Sequence, residues 1–502
     1  MASTSASHHT VAIIGGGPVG SLLAAELSRS GLNVVVLEAE PFPLEVTRLG
    51  IVHARSIQLL ARRGYLNTGA AERGLSDHGF PSQGQSADFH FAGQRGLRID
   101  SPAGEGPAIG GIAPSDLERM FAVLADARGT RIVRGASVLS VDQSPDEVTI
   151  TYEHEGHTVI VRADWVVGCD GAQSIVRRSV GFPSTETKPT IAAMLGQVNL
   201  LQPHSVPPGW TMTDRGWTLI NVDPWGKSRV ITMDFTGPHA DPHEPLTLDE
   251  LQATASRIVD SDIQMADATF LTRFSDFSRL ADRYRLGRVL LAGDAAHVHF
   301  PVGGQGLNLG IADVLNLAWK LILVAQGKAA VSLLDSYQEE RHPAAAAALA
   351  NTITQAEIMR PGSEHLTRRM KLQALLNEPT SNAVLGRMIS AQDSPVSASA
   401  RYGAVGDFLT NEAVYTPAGA SSIVELLASG TRGLLLHSVA SSAGRTASLW
   451  SDRVRSIPAV TTWDRDLLIR PDGRLAWVAH SSSLGGLSDA LRRWFGPPSG
   501  GR

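Results

Sequence analysis

Val11-Ala12-Ile13-Ile14-Gly15-Gly16-Gly17-Pro18-Val19-Gly20 is the first stretch of the chain with an unambiguous local reading. A short apolar run rich in β-branched residues reads as a buried parallel strand. The glycines read as a tight turn, and Pro18 suits a first helical turn, where its missing N–H costs nothing. The helix is expected to reach about Ser30, with Gly31 placed to cap it. Asn33 to Leu37 reads as a second strand that ends at Glu38. Two strands joined by one helix imply a right-handed crossover and a parallel pair. Gly15, Gly17 and Gly20, followed by an acid at the end of the next strand, form the pattern of a dinucleotide site. The glycines let a pyrophosphate approach backbone at a helix N-terminus, and Glu38 can accept from ribose hydroxyls. The pattern alone does not separate FAD from NAD.

The chain around this unit has 502 residues, 43% hydrophobic and 19% charged, with a formal net charge of −5. That length suggests about three domains and a large buried core. The charge supplies no bulk positive field for nucleic acid or an anionic membrane. The single cysteine, Cys169, excludes an intrachain disulfide and a cysteine zinc cluster. Met1 to Thr10 has no Lys or Arg, and no continuous apolar run approaches a membrane span, so no targeting or spanning segment is expected. A cytoplasmic protein, monomer or homodimer, fits this composition.

Further along, Val148, Ile150 and Tyr152 alternate with polar residues, and a turn at Glu153 to His157 makes a hairpin with Thr158 to Val161. Asp164 to Gly168 then re-enters a core strand. Trp217 to Val222 and Arg229 to Phe235 form a second alternating pair. Arg288 to Ala292 is another buried strand, followed by a helix at about Leu307 to Gln326 and one at Leu333 to Met359, kinked or restarted near Pro343. The last hundred residues read as a small α/β unit with a turn at Pro471-Asp472-Gly473 and a final helix from Leu487 to Phe495.

Two more motifs follow the first. One is Gly168-Cys169-Asp170-Gly171-Ala172-Gln173-Ser174, with Arg177 close behind. The other is Gly293-Asp294-Ala295-Ala296-His297, continuing through Pro301-Val302-Gly303-Gly304-Gln305-Gly306-Leu307-Asn308. In this order, and with Tyr337 to Pro343 after them, the chain resembles the class A flavoprotein monooxygenases, the single-component FAD aromatic hydroxylases of the p-hydroxybenzoate hydroxylase fold. It is most similar to the branch acting on aromatic polyketides and rifampicin. The resemblance implies an α/β fold: a discontinuous Rossmann-like FAD-binding domain (1–182 and 276–400), an inserted antiparallel substrate domain (183–275) and a thioredoxin-like C-terminal domain (401–502). That last unit contains no cysteine, so thiol redox chemistry is excluded there.

The resemblance assigns site residues one by one. Gly15, Gly17 and Gly20 would hold the FAD pyrophosphate, Glu38 the adenosine ribose, and Val138 the adenine by its backbone. Asp294 would bind the ribityl and pyrophosphate region, and Asp170 would touch FAD or the nicotinamide. Pro301, Gly304, Gly306, Leu307 and Asn308 would lie against the isoalloxazine, where the helix start aims its positive end at a reduced, anionic flavin. Arg48 and Pro301 stand closest to the chemistry, Arg48 in flavin movement or nicotinamide contact. Trp217, Trp225 and Met233 are the candidate substrate wall, equally readable as core. The family often has a glutamine contacting FAD where this chain has Pro114, with Glu118 following. Cys169 reads as a buried hydrophobe. His297 and His299, with no third ligand, read as structural, so no metal is expected.

The implied function is hydroxylation of a large aromatic compound with NADPH or NADH and O2, through a flavin C4a-hydroperoxide. FAD would be bound tightly but non-covalently and the nicotinamide transiently, since the sequence has no second Gly-x-Gly-x-x-Gly. Alternatives within the fold are Baeyer–Villiger oxygen insertion and inactivation of an antibiotic. From another class, a non-catalytic flavin- or ligand-binding protein is the alternative.

Overall fold

The computed structural model describes residues 7–43, 50–66, 84–223, 226–393, 405–428, 430–460, 465–479 and 484–499. Arg48 and Trp225 lie outside the described residues. The strand–turn–helix–strand unit is Ser7–Ile14, Pro18–Ser28 and Val34–Glu38, and the two strands pair in parallel from Val11 opposite Val34. Both are buried where they enter the core, as the β-branched runs require. The first helix ends two residues earlier than its pattern suggests, with Gly31 left-handed beyond it.

Around this unit lies a sheet whose parallel core runs Val289–Leu291, His157–Gly168, Ser7–Ile14, Val34–Glu38, Arg131–Arg134. His157–Gly168 is one twelve-residue strand. Its first half forms the hairpin with Val148–His154, and its second half runs parallel to Ser7–Ile14. Val289–Leu291 joins this sheet after an excursion of more than a hundred residues, so the nucleotide-type sheet is discontinuous in sequence.

The excursion contains an antiparallel five-stranded sheet in the order Gly209–Thr213, Gly216–Asn221, Ser228–Asp234, Ala192–Leu200, Met265–Ser275. Alternation splits its side chains between two faces. Met194, Val198, Ile220 and Val230 pack with helix Leu248–Val259, whose N-terminus is capped by the Thr247 hydroxyl accepting the Glu250 N–H. Ala193, Leu195, Trp217, Ile231 and Met233 face the other way, toward Phe300 and Val302.

Helix Gln305–Ala325 then crosses the core. By length and composition it could span a membrane, but 89% of its most apolar window is buried inside the protein. Helix Asp335–Met359 runs through Pro343 without restarting. The turn before the proline is held from the side: the Tyr337 hydroxyl donates to Leu291 O at 2.8 Å, and Glu340 and Arg341 are tied into buried ion pairs. Those contacts offset one lost helical rung. A four-stranded sheet (Val454–Pro458, Gly433–His437, Leu467–Ile469, Leu475–Val478) and helix Leu487–Phe495 complete the chain, with Trp494 and Phe495 packed on Trp319.

Candidate active site

The three glycine-bearing motifs and the open face of the five-stranded sheet line one continuous cavity of about 1150 Å³. At its nucleotide end lie Gly15, Gly17, Glu38, Val138, Asp170 and Asp294. The three glycines of the first motif do different work. A Cβ on Gly15 would come 2.4 Å from Cys169 O, and one on Gly20 would come 1.9 Å from Gly15 O. These two allow the turn to close. A Cβ on Gly17 would meet no protein atom within 4 Å. Gly17 is also the N-cap of helix Pro18–Ser28 and provides no side-chain cap, so the helix N-terminus presents unbonded N–H groups. That combination favours an anion such as a pyrophosphate.

The Glu38 carboxylate accepts the Gly16 N–H and, at 2.8 Å, the Glu40 N–H. It is thereby fixed at the cavity wall beside Ala136, Ser137 and Val138. Asp170 accepts the Val176 N–H through Oδ2 at 3.1 Å, while its Oδ1 is buried with no hydrogen-bond partner. Burial raises its pKa. A hydroxyl-rich ligand would satisfy that oxygen. Together with the open space at Gly17 and the uncapped helix, this fits FAD. Pro114 also lines the cavity, as the first residue of helix Pro114–Asp126, and supplies ring surface where a glutamine would supply a hydrogen bond.

The middle of the cavity is bounded by Pro301 to Leu307. Gly303 and Gly304 are left-handed, with φ of 78° and 65°, and Gly304 caps helix Gln305–Ala325 without a side-chain bond. Two buried side chains hold this loop. His53 is neutral, because burial drives its pKa down to about 4, and its Nε2–H donates to Gly303 O at 2.8 Å. Asn308 donates to Ile51 O and Gly304 O and accepts the His53 N–H, each at 2.8 Å. Asn308 is therefore not a wall residue: it stitches the loop to strand Gly50–His53 from beneath.

The Gly293–Asp294 turn is similarly supported. Asp313 Oδ2 accepts the Gly293 N–H at 3.1 Å and faces His297 Nε2 at 2.6 Å, while Oδ1 accepts from Arg341 Nε at 2.8 Å. Burial works against the Asp313 charge, but His297 and Arg341 more than offset it and keep the pKa low. Arg177 of the second motif donates to Ala295 O and Ala172 O, both at 3.0 Å, tying the second motif to the third. The Asp294 carboxylate stands exposed at the cavity wall. Asp294→Ala should weaken FAD retention by about 1–2 kcal/mol, roughly tenfold in dissociation constant, with the melting temperature of the apoprotein unchanged. Fluorescence titration of apoprotein with FAD checks this, and an unaltered affinity would remove Asp294 from the binding set.

The far end of the cavity is the sheet face. Trp210, Leu219, Ile231, Leu195 and Thr272 stand directly opposite one another across five strands, and all five line the cavity. Met233 and Phe274 belong to the next row and line it too. Trp217 shares their face but does not line the cavity. Hairpin Ser86–Phe91 to Gln94–Asp100 covers it, with Gly93 so close that a Cβ there would lie 2.5 Å from the indole, and its Nε1 donates to Met359 O. Trp217 is core, and Trp210 takes the wall position. His90, on the same hairpin, stacks on Phe89 and reaches Trp210. Strand alternation could have placed Leu195, Leu219 and Ile231; nothing in the sequence marked His90.

Residues 8–352 match the family model of an FAD binding domain, and residues 402–498 match the aromatic-ring hydroxylase C-terminal domain. The chain is 36% identical to dialkyldecalin synthase of Streptomyces rugosporus, over 97% of this chain and 99% of that protein. It is 34% identical to rifampicin monooxygenase of Rhodococcus hoagii, over 97% and 98%. The solved structure of anhydrotetracycline hydroxylase from Streptomyces rimosus superposes with a TM-score of 0.88 at 32% identity, covering 98% of this chain and all of that one. A cavity lined by three flavin-type motifs, and these matches along nearly the whole length, place the chain in the FAD-binding aromatic-ring hydroxylase family, in the branch of the anhydrotetracycline and rifampicin monooxygenases.

Proposed function

We propose that the protein is an NAD(P)H-dependent FAD monooxygenase that hydroxylates a large aromatic compound of polyketide type. The observation that carries this reading is the single cavity, in which a dinucleotide cradle and a flat, largely apolar sheet face meet at the Pro301 to Leu307 loop. When bound, FAD supplies the redox chemistry, taking electrons from NAD(P)H and activating O2. The chain's own part is positional. Gly17 and the uncapped first helix receive the pyrophosphate, Glu38 and Asp170 accept from hydroxyls, and Asp294 accepts from the ribityl region. The Gly304 to Leu307 helix start aims its dipole at the loop, favouring negative charge there. The sheet face orients the ring and excludes water.

The same reading makes the five-stranded unit the substrate domain. It makes the last hundred residues a thioredoxin-like unit that packs against the long helices without thiol chemistry, and the setting cytoplasmic. Limits near 182 and 275 bracket the stretch that carries the five-stranded sheet, and a limit near 400 sets apart the four-stranded sheet that follows it. Arg48, outside the described residues, keeps its proposed place near the flavin. The test is NADPH oxidation by FAD-loaded protein over a panel of aromatic polyketides, with product mass measured under labelled O2. Stimulated oxidation and one labelled oxygen atom in the product are expected. The identity with dialkyldecalin synthase supports a second reading, ring formation in the same cavity. That reading requires a product of unchanged mass and no NADPH consumption.

A further inference from the structure

The hairpin that covers Trp217 also brings an imidazole to the cavity. Phe89 stands opposite Leu97 but His90 stands opposite Arg95, so Gly96 is bulged out of the ladder. Its φ of 105° is one that glycine adopts without strain. Adjacent residues of a regular strand point to opposite faces. Here the Phe89 and His90 rings stack, with centroids 4.5 Å apart. Bulges re-aim side chains in this way. Phe89 meets His53 edge-on at 5.4 Å, and His53 holds Gly303 of the flavin loop. His90 itself lies 5.0 Å from Trp210, on the edge strand of the sheet face, and lines the cavity. The hairpin is held from behind. Gln355 accepts the Ala92 N–H at 2.9 Å, and Asn382 accepts the Arg98 N–H at 2.9 Å and donates to Gly96 O at 2.7 Å.

Neither ring nitrogen of His90 is hydrogen-bonded to another described residue, and Nδ1 is shut off from solvent. A proton on Nδ1 would be a buried donor with no acceptor. The ring's hydrogen therefore belongs on Nε2, the nitrogen left to face the cavity. Burial, with His53 nearby, drives the pKa down to about 4, so the ring is neutral. The wall thus presents an uncharged N–H donor between Phe89 and Trp210. A carbonyl oxygen satisfies such a donor, and the apolar rings beside it disfavour a charged oxygen by desolvation.

We propose that His90 is a substrate-recognition residue whose Nε2–H donates to a carbonyl oxygen of the aromatic substrate. It favours a polycyclic ketone or quinone over the same skeleton without that oxygen. Because His90 packs through Phe89 and His53 against the flavin loop, the bond also sets which edge of the rings faces that loop. The inference rests on the hydroxylase reading and names a feature of its substrate.

The test uses FAD-loaded protein without NADPH and two flat probes, 2-hydroxyfluorenone and 2-hydroxyfluorene, which differ by one carbonyl. Equilibrium dialysis gives the ratio of their dissociation constants. H90F, which keeps a ring of similar size, should shift that ratio about tenfold against the ketone. A general loosening of the wall would weaken both probes and leave the ratio unmoved. An unmoved ratio overturns this inference and leaves the hydroxylase reading standing. If neither probe binds the unmodified protein, the aromatic-substrate reading falls with it. Should H90F fail to retain FAD, the infrared spectrum of 2-hydroxyfluorenone on the unmodified protein decides. Its carbonyl stretch should lie below the value in hexane, and an unshifted band overturns the proposal.

Discussion

Gly17→Val is expected to yield a folded protein that retains no FAD. The reason lies in the division of labour among the three glycines. A Cβ at Gly17 would meet no protein atom within 4 Å, so the apoprotein should accept valine with little change in its melting temperature. The same side chain would occupy the space at the uncapped N-terminus of helix Pro18–Ser28, where we propose that the pyrophosphate approaches the backbone. The expected loss is of the order of 4 kcal/mol, roughly a thousandfold in the FAD dissociation constant. Gly20→Val should fail differently. Its Cβ would lie 1.9 Å from Gly15 O, so the turn itself must distort, at about 3 kcal/mol or more of stability in the apoprotein. Purified Gly17→Val should be colourless with a normal apoprotein melting curve, and Gly20→Val should melt early whether or not FAD is added. Yellow, FAD-retaining Gly17→Val would mean that the pyrophosphate lies elsewhere.

Much of this site is legible in sequence because its constraints are local. Gly15, Gly17 and Gly20 answer to a turn and a helix start a few residues long, and Glu38 follows from the next strand. The placement of Asp294 and the Pro301 to Leu307 loop follows likewise from a contiguous motif. What sequence could not show is what covers what. Trp210 and Trp217 lie on one face of adjacent strands and look equivalent. Only a hairpin more than a hundred residues earlier in the chain, bringing Gly93 onto the Trp217 indole, makes one of them core and leaves the other as wall. Asn308 looks like a loop residue at a flavin edge, yet its three hydrogen bonds run to Ile51, His53 and Gly304 beneath that loop. Pro343 carries a strong local signal for a break, and long-range contacts from Tyr337, Glu340 and Arg341 override it. In each case tertiary contact decides between two locally acceptable states.

Glu340→Ala should be the most destabilising substitution outside the cavity. Glu340 is the carboxylate that joins the long helices to the C-terminal sheet. It accepts from Arg470 through both oxygens, at 2.5 and 2.8 Å, from Lys320 Nζ at 3.1 Å and from Asn316. Lys320 and Arg470 are almost wholly removed from water. Burial opposes the Glu340 charge, but Arg470 and Lys320 more than offset it and hold its pKa well below the usual carboxylate range. Removing it leaves the Lys320 ammonium with only the neutral Asn316 Oδ1, at 2.8 Å, and Arg470 with Asp472 as its one carboxylate, a loss of about 3–5 kcal/mol for breaking a buried pair. The sign differs for Lys320. Burial outweighs the pull of Glu340 and lowers its pKa to about 8, so its charge is carried at a cost in the folded state near neutral pH. Lys320→Met should therefore be neutral within about 1 kcal/mol or stabilising, because Glu340 keeps both bonds to Arg470. Urea unfolding of the three proteins checks the ordering. The pH dependence checks its origin. A depressed carboxylate pKa contributes stability that is fully present above the unfolded value, about 4.3, and is lost as pH falls through the folded value. The gap between unmodified protein and Glu340→Ala should thus close in acid below that point, and should also narrow as pH rises toward about 8, where Lys320 gives up the charge that Glu340 holds. A gap unchanged into strong acid would mean that the carboxylate's charge is not what holds the C-terminal sheet to the long helices.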